Sequence, residues 1–436
     1  MEYIRHQRRV RLAVQMFLYL LVRSGAIFPI VQTLRVVNSM RAAIIADDLT
    51  GAADTGVQLV RAGYRTAVAY RGAPVPPTKG LDAVALDTDS RAMPAGFAAK
   101  RVLEAARAVR DARIVYKKLD STLRGPIAAE LTAALEATGR ERAVVAPAFP
   151  SAGRATADGV QLVRGVPVHE TEAKNDPRTP VREGHIPTLL AKAFPSVRPL
   201  DVEDLADPTT VRRVLGDARC VVADAARDED LEALVRAVPD PSEVLWAGSA
   251  GLALALGTVY PGPHVGEPTA ALAPVRTVLV VVGSLSEVAR GQLRSLAEEY
   301  GCATVPVAGQ FGVNEEVLGA ARAALSGSAC AALHSADDRD ASGAGSFVEA
   351  LAEVVAGLSE EGLFDALVLT GGETAVGVGR RLGAVGIRLE KEVEPGIPTG
   401  SLIGPSPYWV VTKAGGFGEP GTLVKVVEGL LGEGKD

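Results

Sequence analysis

From Arg41 onward, short apolar runs alternate with stretches of helical period, which predicts βαβ units and largely parallel sheets. Apolar runs at 42–46, 66–70, 82–87, 113–117, 143–146, 220–223 and 244–247 predict strands. Segments 51–62, 95–109, 126–138, 228–238 and 249–256 carry the helical period, and Gly63 stands where a C-terminal cap belongs. From Thr258 to Pro274 four prolines interrupt the chain and no apolar period survives, so this stretch reads as an interdomain linker whose composition would allow closure. A second series opens with the strand at 277–282. Further strands are predicted near 329–333, 366–370 and 408–412, with helices near 286–300, 314–325, 346–357, 373–383 and 420–431. The expected fold is α/β, with an N-terminal domain over 40–257 and a C-terminal domain over 275–436, each a largely parallel sheet flanked by helices.

The first 39 residues break this pattern. They hold six arginines and one acid, a net +5, and removing it from the chain's −6 leaves −11 for the rest. An acidic body argues against nucleic acid as a partner. Leu12 to Val22 is an apolar run behind an Arg-rich start, as in a signal peptide. It falls short of the ~20 residues needed to span a bilayer, so no membrane partner is expected. Met40 directly precedes the first strand, and the preferred reading makes it the true start, with 1–39 a non-native or disordered extension. Three widely spaced cysteines fit a reducing cytoplasm and exclude a disulfide framework. No Cys/His spacing suggests a metal site, so no protein-held metal is expected.

Charged residues gather where predicted strands give way to helices, the place where open α/β sheets bind ligands. After the first strand come Asp47, Asp48, Thr50, Gly51 and Asp54. One acid could simply cap the helix, but three together suit hydroxyl binding, proton transfer or holding a metal. After the 113–117 strand come Lys117, Lys118, Asp120, Ser121, Thr122 and Arg124, with Pro126 opening the next helix. Cations beside hydroxyls suit a carboxylate or phosphate; the plainer alternative is a solvated turn. The loop Pro147–Thr156 carries Arg154, which could bind an anion or pair with an acid, and Asn175-Asp176-Pro177 reads as a turn.

In the second half, three strand ends are rich in glycine: Gly283-Ser284, Gly371-Gly372-Glu373-Thr374, and Lys413-Ala414-Gly415-Gly416. Such turns let phosphate approach the backbone, and Lys413 could neutralise its charge. No Walker A, protein-kinase or dinucleotide fingerprint is present.

Taken in order, Asp47-Asp48-Leu-Thr50-Gly51, Lys118-Leu-Asp120-Ser121-Thr122-Leu-Arg124-Gly125, the Pro147–Arg154 loop, Gly371-Gly372-Glu373-Thr374 and Lys413–Gly418 resemble the four-carbon acid sugar kinase family. The resemblance runs from about Arg41 to the C-terminus. It implies a sugar-acid-binding N-terminal domain and a nucleotide-binding C-terminal domain, with Ser284, Gly371–Thr374 and Gly415 at ATP. The expected reaction moves the γ-phosphoryl of ATP, carried with Mg²⁺, to a hydroxyl of threonate, erythronate or 3-oxo-tetronate. Our reading of the residues gives the carboxylate to Arg124 and one of Lys117 or Lys118, helped by Ser121 and Arg154. Asp47 or Asp48 would orient or deprotonate the acceptor hydroxyl, with Asp120 in reserve. A kinase for another hydroxy acid and a non-catalytic sensor of sugar acid and nucleotide remain the alternatives, and self-association into a homo-oligomer stays open.

Overall fold

A computed structural model describes residues 40–76, 79–266, 274–308, 315–335 and 344–432. The extension over 1–39 and the linker's 267–273 lie outside the described residues. The first half supplies β1 (Ala42–Ala46), β2 (Thr66–Ala69), β3 (Ala83–Asp87), β4 (Ile114–Lys118), β5 (Arg142–Ala146), β6 (Arg154–Ala157), β7 (Val160–Val163), β8 (Val166–Pro167), β9 (Val197–Leu200), β10 (Cys220–Ala223) and β11 (Val244–Gly248). The second supplies β12 (Val278–Val282), β13 (Ala303–Val307), β14 (Cys330–Ser335), β15 (Ala366–Thr370), β16 (Gly386–Glu394), β17 (Ile397–Ile403) and β18 (Trp409–Lys413).

Eight parallel strands form the first sheet in the order β2-β3-β1-β4-β11-β5-β10-β9. Five more form the second, in the order β13-β14-β12-β15-β18. Their central strands are buried on both faces, which explains the continuous Val/Ala/Leu runs. Helices pack on these faces; among the described residues none is long and apolar enough to cross a membrane.

The two sheets are not separate. The β16–β17 hairpin, absent from the sequence reading, pairs antiparallel with β18 on one side and β2 on the other. A single 15-stranded sheet results. Three residue pairs make the seam: Gly386 with Ala69, Ile387 with Val68, and Arg388 with Ala67. A Cβ on Gly386 would lie 2.0 Å from the Val68 carbonyl oxygen, so only glycine fits there. Gly56 has the same role one layer up, where Leu389 fills the space its side chain would take.

Three other differences have local causes. β13 and β9 are the two outer edges of the sheet, and each contains a proline, Pro306 and Pro199. Proline argues against a central strand but is tolerated at an edge, and neither strand was foreseen. The small antiparallel sheet β6-β7-β8 was also unforeseen, because its strands are only two to four residues long. The start of the proposed linker is docked: the helix Ala250–Val259 runs into it, Gly262 donates to the Ala62 carbonyl at 2.7 Å, and Tyr64 donates to the Tyr260 carbonyl at 2.5 Å.

Gly386→Val should therefore break the seam and cost about 3 kcal/mol through overpacking. Chemical unfolding measures this. Unchanged stability would mean that the two sheets do not depend on the pairing.

Candidate functional site

β1, β3 and β4 end level with one another, since Ala46 lies opposite both Asp87 and Lys118. The loops that follow are held together by a residue the sequence reading did not select, Arg91. Its guanidinium binds Asp47 through two contacts of 2.8 and 2.9 Å, and Asp48 through two of 2.6 and 2.9 Å. Asp48 also caps the helix Leu49–Arg61, accepting from the Gly51 amide at 2.8 Å. Asp47 is 2% exposed and lies behind the cleft wall. Burial pushes its carboxyl up, but Arg91, Lys117 and Lys118 outweigh burial and hold it below the ordinary range.

The two lysines at the end of β4 point to opposite faces, as strand alternation requires. Lys117 is fully buried and its Nζ pairs with Glu130 at 2.8 Å on the side away from the cleft. It therefore does not line the cleft, where the sequence expectation places it as an alternative to Lys118. Lys118 lines the cleft, and its Nζ donates to the Leu119 carbonyl at 2.9 Å.

Asp120 and Arg124 also line the cleft but are bound to each other, at 2.8 and 3.0 Å. Arg124 reaches Asp176 as well, at 3.3 Å, in the turn expected at 175–177. Burial raises the Asp120 carboxyl, yet Arg91, Arg124 and Lys118 hold it well below the carboxylate range. A group so stabilised as an anion is a poor proton acceptor, and a guanidinium so engaged has little left for a ligand. Ser121 and Arg154 are on the wall too. Arg154 has no carboxylate partner, and its buried Nε makes no hydrogen bond among the described residues. Burial, then the neighbouring Arg164, pull it below the ordinary guanidinium value. Arg164 stands at the rim of the cleft.

Asp54 occupies the same wall, one helical turn beyond Thr50 and Gly51. Burial pushes its carboxyl up to about 6, against the pull of Lys118.

The three glycine-rich turns of the second half converge. A Cβ on Gly283 would strike the Thr374 hydroxyl and one on Gly415 the Ser284 hydroxyl, at 1.8 and 1.9 Å. Gly371 has φ +105° and caps the helix Gly372–Arg381 without a side-chain bond, leaving that helix's first N–H groups available. Ser286 caps the helix Glu287–Glu299 and also donates to the Gly415 carbonyl at 2.6 Å. Lys413 differs from expectation. It is 1% exposed and turned under its own loop, donating to the carbonyls of Ala414 and Phe417, both at 2.9 Å. Burial pulls it down to about 8. It shapes the turn and does not line the cleft.

Both halves meet across one cleft of about 730 Å³, walled by Asp48–Asp54, Lys118–Arg124 and Phe149–Arg154 on one side and by Glu394–Gly396 and Ala414–Glu419 on the other. A Cβ on Gly372 would come within 3.3 Å of the Thr50 hydroxyl. Glu373 bridges the halves, pairing with Arg178 at 2.8 Å. Arg91 follows β3 in a charged strand end, Asp87-Thr88-Asp89-Ser90-Arg91, so the rule that found its neighbours would have found it. Arg164 sits in a hairpin with no such signal.

Lys117→Met would leave Glu130 buried without a counter-charge and should cost about 3–5 kcal/mol. Lys118→Met removes a cation that has no carboxylate partner among the described residues and should change stability by about 1 kcal/mol or less. Denaturant unfolding of the two variants should show this order, and the reverse order would reassign the buried pair.

Two family profiles match the chain: a sugar-binding N-terminal domain over residues 42–256 and a nucleotide-binding C-terminal domain over residues 279–423. The D-threonate kinase of Salmonella typhimurium strain LT2 is 36% identical, the alignment covering 88% of this chain and 97% of that protein. The D-erythronate kinase of Heliobacterium modesticaldum is 32% identical, over 89% and 96%. The 3-oxo-tetronate kinase of Methylobacterium radiotolerans is 31% identical, over 87% and 97%. A crystal structure from Salmonella typhimurium LT2 superposes with a TM-score of 0.74 at 25% identity, covering 88% of this chain and 98% of that one. With relatives at this identity aligned over nearly their whole lengths, the chain belongs to the four-carbon acid sugar kinase family.

Proposed function

We propose that the protein transfers the γ-phosphoryl group of ATP to a hydroxyl of a four-carbon sugar acid. The observation that carries this reading is the shared cleft, where Lys118 and Arg154 of the first half, without a carboxylate partner among the described residues, face the Ala414–Gly418 turn of the second, on which the other two glycine-rich turns converge. Phosphoryl transfer depends on positioning and charge neutralisation, and it needs donor and acceptor in near contact and away from water. The abutment of Gly372 on Thr50 supports that proximity. The naming of relatives as D-threonate, D-erythronate and 3-oxo-tetronate kinases supports the substrate class.

In this reading the first half binds the acid and the second binds the nucleotide. Lys118 and Arg154 take the substrate carboxylate, because neither is committed to a carboxylate of the protein. Ser121 is placed to bond a substrate hydroxyl. Arg124 and Asp120, locked together, hold the loop that carries Ser121. Asp47 and Asp48 with Arg91 set the position of the first helix and so of Thr50. Ser284, Gly371, Gly372 and Gly415 offer hydroxyl and backbone N–H groups to the ATP phosphates, with Thr374 packed beneath them. Glu373 sits at the edge of that turn. Mg²⁺ would come with the nucleotide as part of that substrate and supply charge neutralisation at its phosphates.

A coupled ADP-release assay with threonate, erythronate and 3-oxo-tetronate isomers tests the reading. Turnover with at least one of them is expected; turnover only with acids of another length, or none at all, would overturn it. Arg154→Ala should raise the acid KM about 10- to 100-fold, the scale of a hydrogen bond to a charged group, ~1.5–3 kcal/mol. Gly372→Val should raise the ATP KM and leave that of the acid unchanged. If the folded valine variant binds ATP normally, the nucleotide lies elsewhere.

A further inference from the structure

Five carboxylates line the cleft: Asp48, Asp54, Asp120, Glu394 and Glu419. Asp48 and Asp120 are held by Arg91 and Arg124. Glu394 is bonded to Thr422 at 2.7 Å and Lys425 at 2.9 Å. Glu419 is exposed at the rim, beside the glycine turn of the second half. Asp54 alone among the five is both partly buried and without a hydrogen bond or ion pair to its carboxylate among the described residues.

Its placement follows from the helix that bears it. Side chains three and four residues apart share a helix face, so Asp54 stands one turn beyond Gly51 and Thr50 on the cleft side. Ala52, Ala53 and Thr55 point into the core. Thr50 abuts the Gly371–Gly372 turn, and a Cβ on Gly51 would be 3.2 Å from the Lys118 Nζ. Asp54 thus stands one helical turn beyond both of these contacts, on the same cleft wall as Lys118 and Arg154.

Resting on that reading of the cleft, we infer that Asp54 is the general base, accepting the proton of the substrate hydroxyl as that oxygen attacks the γ-phosphorus. The new bond joins the hydroxyl oxygen to phosphorus. The bond from phosphorus to the β–γ bridging oxygen breaks, and its electron pair leaves with ADP. The proton goes to an Asp54 carboxylate oxygen and then to solvent. The groups facing Asp54 are Lys118 at the end of β4, Arg154 at the start of β6, Asp48 at the head of its own helix, Glu392 on β16, and Tyr116 on β4. Burial and the two acids oppose its charge while Lys118 and Arg154 favour it, and the balance leaves it titrating at about 6. A base poised just below neutral pH is ionised under working conditions yet still takes a proton readily. The salt-bridged Asp47 and Asp120 have lost that ability.

The experiment compares wild type, Asp54→Asn and Asp54→Glu with ATP and the best four-carbon acid. Asp54→Asn should lower kcat about 10²- to 10⁴-fold, with both KM values within about threefold of wild type. Asp54→Glu should restore part of the rate. The wild-type kcat/KM profile should fall on the acid side with an apparent pKa near 6, because the protonated carboxyl cannot accept the proton. Asp54→Asn should lose that limb. Its unfolding midpoint at pH 8 should be unchanged or higher, since burial disfavours the charged native carboxylate. An Asp54→Asn kcat within a few-fold of wild type would overturn the inference. If that variant does not fold, a wild-type profile flat through pH 6 would do the same. A wild-type enzyme inactive on every four-carbon acid would instead sink the reading of the cleft itself.

Discussion

The site depends on how the two parallel sheets are joined. β2 and β16 run antiparallel, and so do β16 with β17 and β17 with β18. The parallel strands of the second half therefore run opposite to those of the first across the seam. In a flat sheet their carboxyl ends would lie at opposite edges, and acid-bearing and glycine-bearing loops could not meet. Five strand steps separate β18 from β1. The ordinary sheet twist of about 20–25° per step turns the strands by more than a right angle over that distance. Twist thus swings both sets of carboxyl ends toward one cleft, and the seam fixes how far.

Within the cleft, charge is sorted by pairing. Two guanidinium groups, Arg91 and Arg124, hold four carboxylates, those of Asp47, Asp48, Asp120 and Asp176. Bidentate pairs of this kind are directional and rigid. They define loop shape and tie each partner to the other. Apart from the exposed rim, the charged groups of the cleft left without an ion-pair partner among the described residues are Lys118, Arg154 and Asp54. An isolated buried charge is costly, so leaving these three without an opposite charge in contact is a cost the fold carries in the cleft.

Much of this was legible in the sequence because the rule behind it is local. A buried strand ending in polar residues before a helix marks a ligand-binding edge, and the loops after β1 and β4 and the three glycine turns all carry that mark. Strand alternation could also have separated Lys117 from Lys118. The remainder is non-local. Nothing in the order of residues says that Arg91 will bind Asp47 and Asp48, more than forty positions away. Gly386 reads as an ordinary turn glycine until the Val68 carbonyl is seen against it. Lys413 looks like a phosphate ligand unless its burial beneath its own loop is known.

A consequence of the seam concerns mechanics. Two domains tied only by a proline-rich connector would close on their ligands as a hinge. Here the hydrogen-bonded ladder runs unbroken from β13 to β9, and the first residues of the connector are pinned against Ala62 and Gly63. Rotating one half as a rigid body would shear backbone bonds at Gly386–Arg388. A closing movement of the whole halves is thus disfavoured, and any closing is left to loops at the mouth such as the 175–180 turn and the 394–396 hairpin tip. Of the ties across the mouth, the Arg178–Glu373 pair is solvent-exposed on both sides, and such pairs are worth about 1 kcal/mol or less. The two halves are joined by a continuous backbone ladder along the spine and only by weaker side-chain ties across the lips.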